Sequence, residues 1–289
     1  MVAVLASGLA LAVAPIAAAD TGCAGLESGP TRTVIRIIDG ETVALDDGTE
    51  LRLIGALAPR AIDVDGKAGT WQPEAATMQG LRALVLGKSI ALAFSAGART
   101  DRHGRWQAQA FVLAPDGGRR WVQGHLLASG LARAYATAGH RGCSVELLAA
   151  ERAASLARRG LWNDAAYQIR SADRPAELMR YRATFQVVEG RLLRAAGRRA
   201  TIYLRFARNW RRGFSVSLRR ADRELLGSFG GDPRGLEGRR VRVRGWIEQW
   251  RGAPMIDLST AGALEVISED GGSAGVARER CTTLPEKRC

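Results

Sequence analysis

Cysteine and histidine are scarce in this 289-residue chain, which has four cysteines and three histidines. No two cysteines form a C-x-x-C pair, and the histidines have no metal-binding spacing, so the sequence argues against a zinc site. No long apolar run occurs after residue 19, so we expect no membrane-spanning segment in the mature protein. Lysine is absent between residues 180 and 260, where arginine supplies all the side-chain positive charge.

The first 19 residues form an apolar run that ends in three alanines before Asp20. Small residues at Ala17 and Ala19 fit a signal-peptide cleavage site, although a basic segment before the run is missing. We therefore predict a signal peptide over residues 1–19 and a periplasmic or secreted protein. A buried N-terminal helix is the alternative.

An even number of cysteines in an exported chain favours disulfides. Three pairings of Cys23, Cys143, Cys281 and Cys289 are possible. We favour Cys23 with Cys143 and Cys281 with Cys289, because the last two cysteines lie close together in a polar tail. The first bridge would attach the mature N-terminus to the first domain.

The charge of the chain is strongly positive, with a formal net charge of +13. Such a charge indicates a polyanionic partner such as nucleic acid, or an anionic membrane surface; a soluble basic protein without a specific partner is the alternative. Between residues 180 and 260 the chain has 19 arginines and only seven acidic residues, so nearly all the excess lies in the second half. A guanidinium group forms two parallel hydrogen bonds to phosphate oxygens, and it also stacks on bases.

The pattern of the first half predicts several strands and three helices. The turns Asp39-Gly40 and Asp46-Asp47-Gly48 separate β-branched runs, which is typical of hairpins. Helical spacing covers residues 73–86, 121–134 and 144–162, and two more strands cover residues 89–94 and 106–113. We predict an α+β domain over residues 30–167, built as a small β-barrel with helices.

The second half is mostly β in its pattern. Pro175 marks a boundary, and five candidate strands follow, with a short helical segment at residues 220–227 after the third strand. That order is the plan of an OB-fold barrel, which we predict over residues 178–268. Residues 269–289 are polar and rich in glycine at their start, and we predict a flexible tail there.

An ordered set of short motifs runs through the first half of the chain. The motifs are D-G-x-T at residues 39–42, L-R-L at 51–53, Pro59, P-E-A at 73–75, R-T-D-x-x-G-R at 99–105, G-L-A-R-x-Y at 130–135 and G-L-W at 160–162. Over residues 33–164 this set resembles the thermonuclease (staphylococcal nuclease) family. The resemblance implies an OB-like five-stranded barrel with three helices that hydrolyses phosphodiester bonds with calcium. In that chemistry two carboxylates hold the metal, a glutamate activates water and two arginines hold the phosphate.

The resemblance assigns roles to five positions of this chain. It places Glu41 at the first metal carboxylate, and it places Arg52 and Arg105 at the phosphate-holding arginines. It places Leu57 at the second metal carboxylate and Arg60 at the water-activating glutamate. Calcium prefers six to eight oxygen ligands, and arginine cannot accept a proton. We therefore predict a phosphate-binding groove with impaired hydrolysis, no metal site and no cofactor.

Neighbouring acids offer an alternative. Asp39, Asp63 or Asp65 can supply the missing carboxylates, in which case the protein is an active endonuclease that uses Ca²⁺. Residues 61–66 resemble half of a calcium loop, but an acidic surface turn is the simpler interpretation. In the turn at residues 99–105, Arg102 and His103 are candidates to grip a phosphate and stack a base; a solvated turn is the alternative.

Arginines and aromatic residues alternate along the strands of the second half. Charge that follows a backbone and rings that stack on bases are what single-strand binding uses. The candidate nucleic-acid-binding residues are Tyr203, Arg205, Arg208, Trp210, Arg211, Arg212, Arg242 and Arg244. A solvated arginine face, with Trp210 and Trp246 capping the barrel, is the alternative.

The sequence thus predicts an exported, monomeric, thermonuclease-like protein that binds single-stranded DNA or RNA and has an impaired phosphodiesterase centre. An active calcium-dependent endonuclease is one alternative. The other is a cell-envelope interaction protein, whose arginines meet lipid phosphates or a partner protein.

Overall fold

The computed structural model describes residues 23, 25–64, 71–136, 140, 142–229, 232–259 and 263–267. The predicted signal peptide, the predicted tail, the Cys281–Cys289 pair and Asp65 lie outside these residues. Within this part of the chain, no helix has the length and apolar character needed to cross a membrane.

The first half of the chain forms a barrel with helices around it. Its strands are β1 (Glu27–Ile37), β2 (Thr42–Leu45), β3 (Glu50–Leu53), β4 (Ala56–Leu57), β5 (Ser89–Phe94), β6 (Trp106–Leu113), β7 (Arg119–Trp121) and β8 (Arg133–Ala134). Its helices are α1 (Gln72–Val85), α2 (Val122–Ala128) and α3 (Ser144–Leu156). Pro73 lies in the first turn of α1, where its missing N–H group leaves no hydrogen bond unmade.

Five of these strands close on themselves. The sheet runs in the order β3-β2-β1-β5-β6-β7, and β3 also pairs in parallel with β6. The alternating apolar residues of the strands and the inner faces of the helices form one core in this barrel. The predicted α+β fold with a closed five-stranded barrel is confirmed.

Two helices are shorter than their sequence pattern predicts. The chain leaves α2 at Ala128, and Gly130 takes a positive φ of 69°. Arg133–Ala134 then pairs as β8 with Ala56–Leu57 instead of continuing the helix. Positive φ values of 50° at both Arg158 and Gly160 likewise prevent α3 from reaching residue 162.

The second half is built from strands and short helical turns. Its strands are β9 (Arg170–Ser171), β10 (Phe185–Arg191), β11 (Arg194–Arg198), β12 (Thr201–Arg205), β13 (Ser215–Arg219), β14 (Arg240–Trp246), β15 (Glu248–Trp250), β16 (Ala253–Asp257) and β17 (Leu264–Ile267). A fourth α-helix, α4 (Pro175–Leu178), precedes β10, so four α-helices rather than three lie in the described ranges. The helical segment predicted near residue 220 is a 3-10 helix, Arg220–Phe229.

These strands pair in two sheets, with the orders β17-β14-β10-β9 and β11-β12-β13-β16-β15. Only two residues separate β10 from β11, and one residue separates β14 from β15, so the sheets share two nearly continuous strand runs. The predicted second OB-fold barrel stays a prediction, because the strands form two sheets rather than one closed sheet. The first of these sheets includes β9, which lies before the predicted domain start at residue 178.

A disulfide joins Cys23 to Cys143, across a sequence separation of 120 residues. Cys143 precedes the first residue of α3, and Cys23 lies shortly before β1, so the bridge fastens the start of the described chain to the barrel's third helix. This pairing was predicted and is present.

The two halves meet at a buried polar interface. Arg133 of β8 is buried and donates a hydrogen bond of 2.6 Å to the backbone carbonyl of Phe185. Arg244 of β14 is buried between two carboxylates, Glu151 of α3 and Glu265 of β17. We call these three charged residues, Glu151, Arg244 and Glu265, the interface cluster.

Candidate nucleic-acid interface

Glu41 and Arg52 form an ion pair at the edge of the barrel. The N–H group of Glu41 donates to Asp39 Oδ1 at 2.8 Å, which fixes the turn between β1 and β2. Antiparallel pairing then puts Thr42 opposite Arg52. Arg52 Nη2 lies 3.2 Å from Glu41 Oε1, and the arginine side chain keeps 30% of its surface exposed against 12% for the glutamate.

The environment of Glu41 disfavours its charge. Burial is the main cause that raises the pKa of Glu41 above its usual value, and the nearby Asp39 carboxylate raises it further. The guanidinium groups of Arg52 and Arg60 and a backbone hydrogen bond from Ala58 oppose this shift without cancelling it. Glu41 is therefore a desolvated acid that has two cationic neighbours.

Alkyl groups fill the position where the resemblance places a second metal carboxylate. Leu57 and Ala58 are both buried, and a Cβ placed on Gly40 would lie 2.6 Å from the Ala58 Cβ. The turn that carries Glu41 therefore packs directly against this apolar segment. Over the ranges that the structure covers, no three Asp, Glu, His or Cys side chains lie together as a metal site requires. A calcium ion does not fit this donor set.

Arg60, which the resemblance places at the position of the water-activating glutamate, has an exposed side chain. Its Nη2 lies 3.4 Å from Asp63 Oδ1, and its N–H group donates to the same carboxylate. The charge of Asp63 also acts on Arg133 and Tyr167 in the interior. Of the acids that could replace the missing carboxylates, Asp39 accepts a hydrogen bond from the N–H group of Glu41, and Asp63 is paired with Arg60.

The turn at residues 99–105 is organised by Asp101. Its carboxylate accepts hydrogen bonds from Arg105 Nε at 2.8 Å and from the N–H groups of His103 and Arg105. Burial raises the pKa of Asp101, but these hydrogen bonds outweigh burial and hold it below its usual value. Arg102 and His103 are exposed, and Arg102 Nε donates to His103 Nε2 at 3.0 Å.

Arg105 lies two residues before Gln107, and Gln107 pairs with Arg52 across the two strands. Parallel pairing of β3 with β6 puts Gln107 opposite Arg52, and residues two apart in a strand share a face. Of the two arginines that the resemblance assigns to phosphate, Arg52 therefore lies on β3 and Arg105 lies directly before the neighbouring strand, β6. Each is already paired with a carboxylate, so a phosphate must compete with Glu41 for Arg52 and with Asp101 for Arg105.

Tyr135 is a site residue that the sequence analysis missed. Burial raises the pKa of its hydroxyl, while the charges of Arg52 and Glu41 act on it in opposite directions. The N–H group of Tyr135 donates to the carbonyl of Gly55 at 3.1 Å, which places Tyr135 near the end of the strand that carries Arg52. Its ring makes edge contacts with Phe185 and Trp246 of the second half, at centroid distances of 5.6 and 5.1 Å. The motif G-L-A-R-x-Y ends at this residue and was the available signal.

Three aromatic rings lie together on the second half, and we call Tyr203, Trp210 and Trp250 the aromatic cluster. Tyr203 stacks on Trp250 at 5.6 Å, and Trp210 lies 5.3 Å from Trp250. The guanidinium groups of Arg205 and Arg211 lie over Trp210 at 5.3 and 5.0 Å, and that of Arg251 lies over Trp250 at 5.1 Å. The rings, with Arg205 and Ser215, line a pocket.

The second half places some predicted residues at its surface, buries others and holds two residues that were not predicted. Trp250 and Arg251 were missed, although the strand alternation that placed Trp246 also places Trp250 on the same face. Arg208 and Arg212 are exposed in the loop after β12. Two of the predicted nucleic-acid contacts, Arg242 and Arg244, require correction.

Arg244 is 6% exposed and lies in the interface cluster, so the prediction that it contacts nucleic acid is wrong. Arg242 directs its Nε to the Glu189 carboxylate at 2.7 Å, with 17% of its side chain exposed. Both arginines do lie on the outer face of β14, as the alternation predicts. The first half of the chain covers that face at Arg244, and Glu189 on the neighbouring strand neutralises Arg242.

The first half of the chain is thus a closed five-stranded barrel with helices around it, which carries Arg52 on one strand and Arg105 before the neighbouring strand. A family model described as "Staphylococcal nuclease homologue" matches residues 50–164. This segment of the chain is therefore a staphylococcal nuclease-like domain. The match begins at the first residue of β3 and includes Arg52 and Arg105, whereas Glu41 and the second half lie outside it. No curated protein matches the chain.

Proposed function

We propose that this protein binds single-stranded nucleic acid through phosphate and base contacts, and that its phosphodiesterase activity is impaired. The observation that carries this proposal is which side chains stand around Glu41. Arg52 remains at the barrel edge, while Leu57 is buried among alkyl groups and Arg60 supplies a cation where a base is required. Phosphate attraction is retained, and metal binding and proton abstraction are lost.

Charge favours phosphate at the centre. Arg52 and Arg60 both act on Glu41, whose charged form is disfavoured by burial and by the nearby Asp39, and Arg60 also pairs with Asp63. An incoming phosphodiester offers Arg52 a second anionic partner, whose oxygens can accept two parallel hydrogen bonds from the guanidinium group. General-base catalysis is not available from Arg60, because guanidinium stays protonated at any physiological pH.

The aromatic cluster supports the second part of the proposal. Its rings offer stacking surfaces, and the three arginines around it attract a phosphate backbone. A quaternary ammonium ligand, which aromatic cages also bind, is disfavoured because guanidinium groups already lie over the rings and repel a further cation. A chain that carries both planar rings and negative charge matches this surface best.

Export remains part of the proposal. The Cys23–Cys143 disulfide is compatible with an oxidising compartment, and together with the predicted signal peptide it favours the periplasm or the exterior of the cell. A role at the cell envelope would use the same arginines on lipid phosphates, but lipid headgroups give the aromatic cluster no bases to stack on.

The test is a paired binding and cleavage assay. Mature protein is incubated with labelled single-stranded DNA and, separately, RNA, in calcium and in EDTA. Binding should occur in both buffers, fall steeply with added salt and leave the strands intact. Arg52→Ala should weaken binding, and Arg32→Ala serves as a matched control, because Arg32 is similarly exposed and pairs with Asp47.

Two outcomes contradict the proposal. Calcium-dependent cleavage that Arg52→Ala abolishes would establish the active endonuclease and show that acids from other loops complete the site. Binding to vesicles of anionic lipid, without binding to either nucleic acid at low salt, would establish the envelope alternative.

A further inference from the structure

We propose that one single strand binds across both halves of the protein, with a phosphate at Arg52 and unpaired bases on the aromatic cluster. This inference rests on the proposed function. It adds that the ligand is a strand long enough to reach both sites, and that the second half is part of the binding site of the first.

Buried contacts join the two halves that carry the two sites. In the interface cluster, Arg244 Nη1 lies 2.5 Å from Glu151 and Nη2 lies 2.6 Å from Glu265, and none of the three side chains is more than 5% exposed. A second buried arginine, Arg133, bonds the backbone at Phe185. Buried pairs of this kind impose a defined geometry, so the distance between the two sites is set by the fold.

Aromatic contacts connect the phosphate site to the second half. Tyr135 donates its N–H group to the carbonyl of Gly55 at 3.1 Å, near the end of the strand that carries Arg52, and its ring lies 5.1 Å from Trp246. Phe185 completes the group, with its ring 5.0 Å from Trp246 and 5.6 Å from Tyr135. Trp246 is thus the point at which the second half reaches the edge of the phosphate site.

From Trp246 the strand run β14–β15 leads to the aromatic cluster. Val243 and Ile247 are fully buried in the core of the second half, so Trp246, Glu248 and Trp250 share the outer face. Three residues lie between the two tryptophans, and the four steps of extended chain measure about 13 Å at ~3.3 Å per step. With the ring contact to Tyr135 added, the path between the two sites is roughly 20 Å, which about six nucleotides of a stacked single strand span at ~3.4 Å each.

A fixed spacing has a measurable consequence. When both sites are held in one geometry, a strand that reaches both gains affinity from intramolecular binding, and a strand too short to reach both gains nothing. Glu248 is exposed between the two tryptophans, where its charge repels a phosphate that passes along this face. Replacing Glu248 should therefore change the affinity for a strand that reaches both sites and leave the affinity for a short strand unchanged.

The experiment measures fluorescence anisotropy of labelled oligothymidylates of about 4 and about 12 nucleotides, the first at the lower limit and the second in the upper part of the roughly 4–16-nucleotide range of a single-domain site. Full-length mature protein is used at low salt in EDTA, so that cleavage cannot intervene. The variants are Arg52→Ala for the phosphate site and Arg211→Ala/Arg251→Ala for the aromatic cluster, with Arg32→Ala as control. Arg211 and Arg251 are exposed, so their removal leaves the core intact.

For the long strand we expect each site variant to weaken binding at least about tenfold. For the short strand only the aromatic-cluster variant should weaken binding, and this retained affinity also shows that Arg52→Ala is folded. Glu248→Arg should tighten binding of the long strand several-fold and leave the short strand unchanged, a pattern that a purely structural effect would not produce.

Three results overturn the inference. If Arg52→Ala leaves the long strand unaffected while the aromatic-cluster variant weakens it, the cluster binds alone. If Arg52→Ala weakens both lengths equally, the two sites act independently. If no variant alters the affinity for either length, the proposed function fails together with the bridging inference.

Discussion

Replacing Arg244 by methionine tests how the two halves are joined. The change keeps much of the side-chain volume but leaves Glu151 and Glu265 facing each other, with both side chains at most 4% exposed. Arg152, at 3.5 Å from Glu265, offers only partial compensation. Removing one partner of a buried charge cluster costs about 3–5 kcal/mol. Two charge-assisted hydrogen bonds, at roughly 1.5–3 kcal/mol each, lead to a similar total.

Urea unfolding followed by tryptophan fluorescence measures this loss, because Trp246 lies at the same interface. The compensated variant Glu151→Gln/Arg244→Met/Glu265→Gln removes all three charges and should recover most of the lost stability, to within about 1–2 kcal/mol of the unsubstituted protein. A loss below about 1 kcal/mol for Arg244→Met, or a triple variant no more stable than the single one, would refute the view that this cluster fixes the interface.

Three further predictions concern stability and phosphate binding. Cys143→Ala opens the Cys23–Cys143 bridge, whose separation of 120 residues corresponds to about 5 kcal/mol of stability; an unchanged urea midpoint would show that the bridge does not restrain the unfolded chain. Glu41→Gln removes the acid that competes for Arg52, so oligonucleotide binding at neutral pH should tighten several-fold. The pKa of Glu41 is raised, and lowering the pH toward that pKa protonates this carboxylate, so the affinity of the unsubstituted protein should then rise toward that of the variant. The affinity of the variant should not show this dependence on pH. Gly130→Ala places a methyl group against the backbone carbonyl of Arg159 at a positive φ, and should lower stability by roughly 1–3 kcal/mol in thermal melts; a melting temperature equal to that of the unsubstituted protein would contradict this.

The barrel was predictable from the sequence because its signals are local. The Asp39-Gly40 turn and the alternation of β2 and β3 establish a hairpin without reference to the rest of the chain. The departures of Leu57 and Arg60 from the family pattern are also visible in the sequence, since they concern residue type at known positions. The burial of Leu57 agrees with what its side chain suggests.

Long-range contacts account for what the sequence could not predict. Alternation correctly puts Arg244 on the outer face of β14, but it does not reveal that α3 of the other half covers that face. The segment around Gly130 has helical periodicity, and the backbone at Arg159, almost 30 residues later, requires the turn. The aromatic cluster likewise depends on a loop residue, Trp210, and a strand residue, Trp250, that meet only in the folded chain.

The loss of acids at the centre and the gain of arginines elsewhere act in the same direction. A divalent ion normally neutralises phosphate at such a centre, so substrate affinity depends on metal. Here Arg60 adds a fixed positive charge where an acid would have stood, and the 19 arginines between residues 180 and 260 extend that field. Binding should therefore be insensitive to EDTA and should weaken with added salt in proportion to the number of phosphates contacted. Because a bridging strand contacts phosphate sites on both halves, Arg52→Ala should reduce that salt dependence for a long strand and leave it unchanged for a short one.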